Sequence, residues 1–189
     1  MRLENKVALI TGGGSGIGAA AARLFAREGA KIVVTGRRPE PIAAVAAEVG
    51  GVAVAGDTSD PAHVAEAVAA AVSNYGGIDV IVTSAGGGYE GSVGDIDDEH
   101  WRRTFDTNLN GPMMLTRAAL PVMLERGGGS IVLVASVAGM AAAPAKKTDP
   151  LAVGQGVDGV LDMKAPGRGC PENGHYASIY GEKKRVLDS

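Results

Sequence analysis

Short apolar runs alternate with segments in which apolar side chains recur every three or four positions. The short runs contain few polar residues, which is typical of strands buried on both faces. The longer spacing is typical of helices that bury one face. Five strands are predicted, over 7–10, 31–35, 51–55, 78–83 and 130–135. Four helices are predicted between them, from Ile17 to Gly29, from Pro39 or Pro41, from Pro61, and over 97–125 with a break at Pro112.

This alternation predicts βαβ units and therefore a parallel sheet with helices on both faces. Right-handed crossovers make such a sheet doubly wound, so the fold class is α/β with three α/β/α layers. In sheets of this kind, ligands bind beyond the carboxyl ends of the strands. We therefore expect the chemistry in the loops that follow the five strands.

The pattern changes sharply near residue 145. Between 144 and 175 there are four prolines and six glycines in 32 residues, and neither a helical nor a strand period continues. Such a density of chain breakers favours irregular or disordered structure. We predict a doubly wound α/β core over 1–144 and an atypical Pro/Gly-rich tail over 145–189, without the last strands of a complete doubly wound sheet.

Composition narrows the function. The net charge is −3, so the chain has no basic field for nucleic acid or an anionic membrane, and neither partner is expected. A single cysteine excludes an internal disulfide framework and a cysteine-cluster metal site. The three histidines are scattered without acids or thiols at ligand spacing, so no metal site is predicted. The N-terminus does not have the pattern of a signal peptide, and a cytoplasmic protein is expected.

A glycine-rich loop joins the first strand to the first helix. Its pattern is Gly12-x-x-x-Gly16-x-Gly18, and the Gly-Lys-Ser/Thr of a Walker A loop is absent. Glycines allow close backbone approach, and a helix N-terminus presents N–H groups that suit a pyrophosphate. A glycine-rich turn without a ligand is the alternative. The predicted cofactor-binding residues in this loop are Thr11, Gly12, Ser15, Gly16, Ile17 and Gly18.

Together with four later segments, this loop resembles the short-chain dehydrogenase/reductase family over residues 1 to about 144. The segments are GDTSD with Asp57 and Thr58, Ser84-Ala85-Gly86 with serine in place of the usual asparagine, FDTNLNG with Asn108, and VLVASVAG with Ser136. The resemblance implies a Rossmann-like fold and homo-oligomers, either dimers or tetramers. It implies that Asp57, Thr58, Ala85 and Gly86 bind the cofactor, that Asn108 holds a catalytic water and that Ser136 binds the substrate oxygen. Taken singly, Asp57 can instead be a turn or helix-cap acid, Asn108 a helix-break residue and Ser136 an ordinary strand-end hydroxyl.

The end of the second strand bears on the choice of nicotinamide cofactor. An acid there would accept hydrogen bonds from a free ribose 2′-hydroxyl and repel a 2′-phosphate. This chain has Arg37 and Arg38 instead, and a guanidinium binds phosphate through paired N–H donors. NADP(H) is therefore favoured, with Arg37 as the phosphate ligand, and NAD(H) remains possible. The alternative is that both arginines are solvated loop charges.

The family's proton-transfer pair, Tyr-x-x-x-Lys, is displaced in this chain. The resemblance places the tyrosine about a dozen residues after Ser136, but the chain has Ala-Lys-Lys-Thr-Asp at 145–149. Tyr180 and Lys184 have the required spacing, which puts both on one helical face, where the ammonium would lower the pKa of the phenol. They are the predicted catalytic dyad with Ser136 and Asn108, unless they form a chance pair in a polar tail.

The resemblance thus implies an NAD(P)(H)-dependent oxidoreductase that interconverts a small-molecule alcohol and its ketone or aldehyde. The alternative is a nucleotide-binding pseudoenzyme, or a truncated or altered member of the family, without turnover.

Overall fold

A computed structural model describes residues 1–88 and 94–136, and the backbone of residues 160–161. One sheet organises the chain, with strand order β3-β2-β1-β4-β5-β6. Its strands are β1 Val7–Thr11, β2 Lys31–Gly36, β3 Val52–Ala55, β4 Val80–Thr83, β5 Ser130–Leu133 and β6 Val160–Leu161. The helices are α1 Gly16–Arg27, α2 Pro39–Val49, α3 Pro61–Tyr75, α4 Asp98–Phe105 and α5 Gly111–Glu125. Strands β1 to β5 are parallel, which confirms the predicted α/β fold with a doubly wound sheet.

Two hydrophobic layers cover the faces of the sheet. Side chains of successive strand residues point to opposite faces, so Leu9 packs in one layer and Ile10 in the other. The layer around Leu9 contains buried residues of α3 and α5, and the layer around Ile10 contains those of α1 and α2. All five residues of β1 are buried because helices lie on both sides of it.

The start of α3 shows how local sequence fixes a helix. Asp60 has extended backbone angles, and its side chain accepts a hydrogen bond from Ala62 N–H at 2.9 Å. Pro61 occupies the first helical position, where its missing N–H costs no helical hydrogen bond. The helix ends at Tyr75 and is capped by Gly76, which has a φ of 79°. These observations confirm the predicted cap and place α3 directly after the turn that follows β3.

The long helix predicted over 97–125 contains a π-helical turn, Asp106–Asn110, between α4 and α5. The predicted break at Pro112 is therefore a change of helical type just before the proline, which lies in the first turn of α5. The helical backbone is continuous here, since Gly111 N–H donates to the Asp106 carbonyl oxygen, and Pro112 has no N–H with which to extend that series of bonds.

The described part of the tail, residues 160–161, forms the short strand β6. Backbone pairing of β6 with β5 is antiparallel, with Ile131 opposite Leu161 and Val132 opposite Val160. The sequence pattern predicted no element there, because a two-residue strand has no period to detect and arises from the free edge of β5. The proposed boundary between a core over 1–144 and a tail over 145–189 remains a prediction.

Candidate functional site

A cavity of about 440 Å³ lies over the carboxyl ends of β1 to β4. Its walls come from the glycine loop after β1, the end of β2 with the start of α2, the turn after β3 and the loop after β4. These four segments meet because parallel strands end at the same edge of the sheet. The cavity is therefore where the sequence predicted a ligand.

The glycine loop packs so closely that Gly12, Gly13 and Gly18 cannot carry a side chain, and a Cβ on Gly13 would lie 2.6 Å from Val34 Cβ. A Cβ on Gly12, whose φ is 65°, would lie 2.7 Å from Ala85 N, and a Cβ on Gly18 would overlap the Gly12 carbonyl oxygen. Gly16 differs, because a Cβ there would meet no atom of the protein within 4 Å although its φ is 52°. The loop thus lies tight against β4 and the helix, while it is open at the start of α1. This open cradle at a helix N-terminus fits the phosphates of a dinucleotide.

Thr11 and Ser84 join the glycine loop to the loop after β4. Thr11 is 3% exposed, and its Oγ1 accepts a hydrogen bond from Ala85 N–H at 3.1 Å. Ser84 lines the cavity, and its Oγ lies 3.0 Å from where a Cβ on Gly18 would be. The two loops therefore hold each other in one position, so residues 84–86 form a fixed wall of the cavity.

The arginines after β2 are exposed at the side of the cavity. Both Arg37 and Arg38 line it, and Arg38 Nη2 donates a hydrogen bond to Ser15 Oγ at 3.5 Å. Arg37 is close enough to Asp57 for its charge to lower the pKa of that carboxyl group. The guanidinium groups of Arg37 and Arg38 thus lie at the wall of the cavity that the end of β2 forms.

Asp57 forms the turn between β3 and α3. Its Oδ1 accepts hydrogen bonds from the backbone N–H and the hydroxyl of Ser59, at 2.9 and 2.7 Å. Partial burial raises the pKa of Asp57, but these hydrogen bonds and the charges of Arg37 and His63 outweigh it, so the pKa is below its ordinary value. Asp57 is therefore a turn acid, and it also lines the cavity together with Thr58.

Asn108 lies in the π-helical turn and fastens the loop after β4. Its Oδ1 accepts from Gly87 N–H at 3.2 Å, and its Nδ2 donates to the carbonyl oxygens of Gly87 and Thr104. The neighbouring Thr107 lines the cavity. Turns of the π type occur frequently at functional sites, and here the turn places one amide against the cavity wall.

The predicted residues fall into four groups. The residues that line the cavity are Gly12, Ser15, Arg37, Asp57, Thr58, Ala85 and Gly86. Four further residues support or adjoin the cavity, namely Thr11, Gly16, Ile17 and Gly18. Asn108 holds the loop after β4. Ser136 is exposed and follows β5 at the same edge of the sheet. Tyr180 and Lys184 lie outside the described residues.

Several cavity residues were not predicted. They are Gly14, Thr35, Gly36, Arg38, Pro41, Ile42, Gly56, Ser84 and Thr107. Most adjoin a predicted residue, so extending each motif by one or two positions would have found them. Pro41 and Ile42 carry no such signal, because they reach the cavity only through the direction in which α2 leaves β2.

Within 1–88 and 94–136, no three His, Cys, Asp or Glu residues are placed to hold a metal ion. No helix in those ranges is both long enough and apolar enough to span a bilayer.

A strand, a glycine loop, a helix and a cavity over the carboxyl ends of parallel strands define the class of doubly wound dinucleotide-binding proteins. Comparison with known proteins gives the family. The family model described as "short chain dehydrogenase" matches residues 6–148, and the chain belongs to this family.

Proteins named as dehydrogenase/reductases or oxidoreductases are among its relatives. The chain is 39% identical over 149 residues to human "Dehydrogenase/reductase SDR family member 4", an overlap of 75% of this chain and 53% of that protein. It is 39% identical over 145 residues to "Oxidoreductase asL5" of Sarocladium schorii, covering 76% and 58%. An "Uncharacterized oxidoreductase" of Staphylococcus aureus is 36% identical over 140 residues, covering 72% and 61%. The alignments thus cover little more than half of each relative.

Proposed function

We propose that this protein is an NADP(H)-dependent oxidoreductase that interconverts a small-molecule alcohol and its ketone or aldehyde. The observation that carries the proposal is the cradle at Gly12, Gly16 and Gly18, closed against the protein on one side and open at a helix N-terminus. When bound, the nicotinamide group supplies or accepts the hydride. Membership of the family supports the reaction class.

The cavity walls suggest how each part of the nucleotide is held. Backbone N–H groups of 12–18 would bind the two phosphates, aided by the positive end of the α1 dipole. Asp57, Thr58, Ala85 and Gly86 would border the adenosine and the link to the nicotinamide. Arg37 would bind the 2′-phosphate through paired N–H donors.

Ser136, Asn108 and the Tyr180–Lys184 pair would carry the proton chemistry. The Ser136 hydroxyl would donate to the substrate oxygen, Tyr180 would exchange the proton, and the Lys184 ammonium would lower the pKa of that phenol. Asn108 Oδ1 accepts one hydrogen bond, from Gly87 N–H, and its second lone pair can accept from a water of the relay.

The direction of β6 sets a condition on this arrangement. Because β6 is antiparallel to β5, the chain at Leu161 runs away from the edge where Ser136 lies. Tyr180 acts at the site only if the segment after Leu161 turns back once. About 19 residues of extended chain reach roughly 60 Å, several times the length of these strands, so the distance allows it.

The decisive experiment is a fluorescence titration of the purified chain with NADPH and NADH, followed by an assay against a panel of ketones and aldehydes. We expect NADPH to bind more tightly. Arg37→Ala should weaken NADPH about tenfold to a hundredfold and leave NADH unchanged, since a charged hydrogen-bonding group contributes about 1.5–3 kcal/mol. Tighter binding of NADH would refute the role of Arg37. Failure of the folded chain to bind either nucleotide at millimolar concentration would refute the function.

A second candidate, a nucleotide-binding protein without turnover, is favoured by one observation. The family match ends at residue 148, before Tyr180 and Lys184, and residues 145–149 contain no tyrosine. Tyr180→Phe distinguishes the two candidates, because it should abolish reduction in the enzyme and leave nucleotide binding unchanged in both.

We also propose a cytoplasmic homo-oligomer that assembles through α4 and α5. Trp101 and Phe105 are 45% and 40% exposed with ring centroids 4.6 Å apart, and Met113 and Leu124 are also exposed on these helices. Light scattering coupled to size-exclusion chromatography should give a dimer or tetramer, and Phe105→Glu should shift it toward monomer. A monomeric wild-type chain would contradict the proposal.

A further inference from the structure

His63 is a buried ionisable side chain beneath the nucleotide cavity. It lies in the first turn of α3, is 5% exposed and does not line the cavity itself. Within the described residues, the other buried group that ionises is Asp79, which precedes β4 at the opposite edge of the sheet. His63 is therefore placed under the wall that the ends of β2 and β3 form.

The imidazole ring contacts both of those strand ends. Its Nε2 lies 3.2 Å from Thr35 Oγ1, and Thr35 is 2% exposed near the end of β2. The ring also packs against the α-carbon of Gly56, where a Cβ would lie 2.8 Å from the ring Cε1 and closer still to Nδ1. Gly56 N–H donates to the Gly36 carbonyl oxygen at 3.0 Å, so the two strand ends are bonded to each other above the ring.

The second ring nitrogen of His63 is unsatisfied. Nδ1 is buried and has no hydrogen-bond partner among the residues that the structure describes. The gap that the ring borders with Thr11, Thr58 and Leu115 has no volume that a water molecule could occupy. Leaving a buried polar atom unpaired lowers stability, and an apolar side chain at position 63 would avoid that cost. The histidine is thus explained by its bond to Thr35 rather than by packing.

We propose that His63 is a positioning residue for the dinucleotide, acting through Thr35 and the Gly56–Asp57 turn. The bond to Thr35 fixes the last residues of β2, from which Arg37 extends. The ring packs against Gly56, and Gly56 directly precedes Asp57, the acid that borders the cavity. The inference rests on the proposed function, since it concerns how tightly the same cavity binds NADPH and NADH.

The test compares His63→Gln with His63→Met in the full chain. Glutamine and methionine have similar length and shape, but only the glutamine amide can bond the Thr35 hydroxyl. We expect His63→Met to weaken binding of NADPH and of NADH about fivefold to tenfold, the size of one hydrogen bond. His63→Gln should stay within about threefold of wild type. The methionine variant leaves the buried Thr35 hydroxyl unpaired and the glutamine variant leaves one amide atom unpaired, so the two variants should have similar Tm values.

A double-mutant cycle separates positioning from general packing. Thr35→Val removes the same bond and keeps the ring, so it also provides the test if variants at position 63 fail to fold. If His63 acts through Thr35, the double variant His63→Met/Thr35→Val should bind no more weakly than the weaker single variant.

Three outcomes would overturn the inference. They are equal affinity of the methionine and glutamine variants, affinities that simply follow Tm, and additive losses in the double variant. None of them would refute the proposed function, provided that the wild-type chain binds the nucleotides. If the wild-type chain binds neither nucleotide, the proposed function fails and this inference fails with it.

Discussion

The Gly16→Ala variant separates the role of Gly16 in nucleotide binding from the backbone strain that a side chain at this position causes. Gly16 begins α1 with a φ of 52°, and a Cβ built there meets no protein atom within 4 Å. An added methyl group therefore costs the folded protein only the left-handed backbone strain, about 1 kcal/mol. In the complex, however, the methyl group would occupy the open side of the cradle where we place the phosphates.

The chain supplies two matched controls. Gly50 and Gly76 cap α2 and α3 with φ values of 64° and 79°, and a Cβ at either also meets nothing within 4 Å. Alanine at either position should lower the free energy of unfolding by a similar amount, about 1 kcal/mol. Neither glycine lines the cavity, so neither substitution should change nucleotide binding.

Urea unfolding and NADPH fluorescence titration of the three variants give the comparison. We expect similar losses of stability in all three, and a loss of NADPH affinity of about tenfold or more in Gly16→Ala alone, equivalent to about 1.4 kcal/mol. Wild-type affinity in Gly16→Ala would show that phosphates do not lie against residue 16. An equal loss of affinity in Gly50→Ala would show that the effect comes from stability.

Three further predictions concern single contacts. Burial raises the pKa of the Asp79 carboxyl group, but hydrogen bonds from Arg126 and from a backbone N–H, together with nearby positive charge, outweigh burial and lower that pKa. The ionised carboxylate therefore stabilises the folded protein at neutral pH, and this stabilisation is lost in acid. Asp79→Asn should therefore cost about 2–4 kcal/mol at pH 7 and flatten the pH dependence of urea unfolding below about pH 4, where the wild-type carboxylate becomes protonated. Thr11→Val removes the bond to Ala85 N–H and should cost about 1–3 kcal/mol in the same assay, with weaker NADPH binding. Gly111→Ala would place a methyl group 2.9 Å from Thr58 Cγ2, in the turn after β3. This variant should lower Tm by about 2–8 °C in a thermal melt. Unchanged unfolding in any of the three would contradict the contact described.

Local signals in the sequence predicted most of the fold. Asp60 and Pro61 mark the start of α3, and the apolar runs mark β1 to β5, because caps, breakers and periods depend on neighbouring residues. The π-helical turn was not predicted, since nothing in DTNLN distinguishes it from the helix on either side. β6 was not predicted because its partner is the distant edge of β5.

The candidate site likewise contains residues that local sequence signals predicted and residues that they did not. The glycine loop was predicted because a strand, a turn and a helix follow each other directly in the chain. His63 was not, because apolar spacing in α3 assigns the inner face to residues such as Val64 and Ala67. Its burial depends on Gly56, which lacks the side chain that would otherwise occupy the place of the ring.

The π-helical turn accommodates an additional residue in one segment of the chain. A π-helical turn holds about one residue more than an α-helical turn, in which each residue advances the chain by about 100° around the axis. A homologue that lacks one residue of Asp106–Asn110 can therefore form a continuous α-helix and keep α5 in the same orientation, with Leu115 and Ala119 in the core. Which residue then faces Gly87 depends on where the deletion falls. Homologous sequences with a gap in this segment should therefore be realigned before their asparagine is assigned the same role.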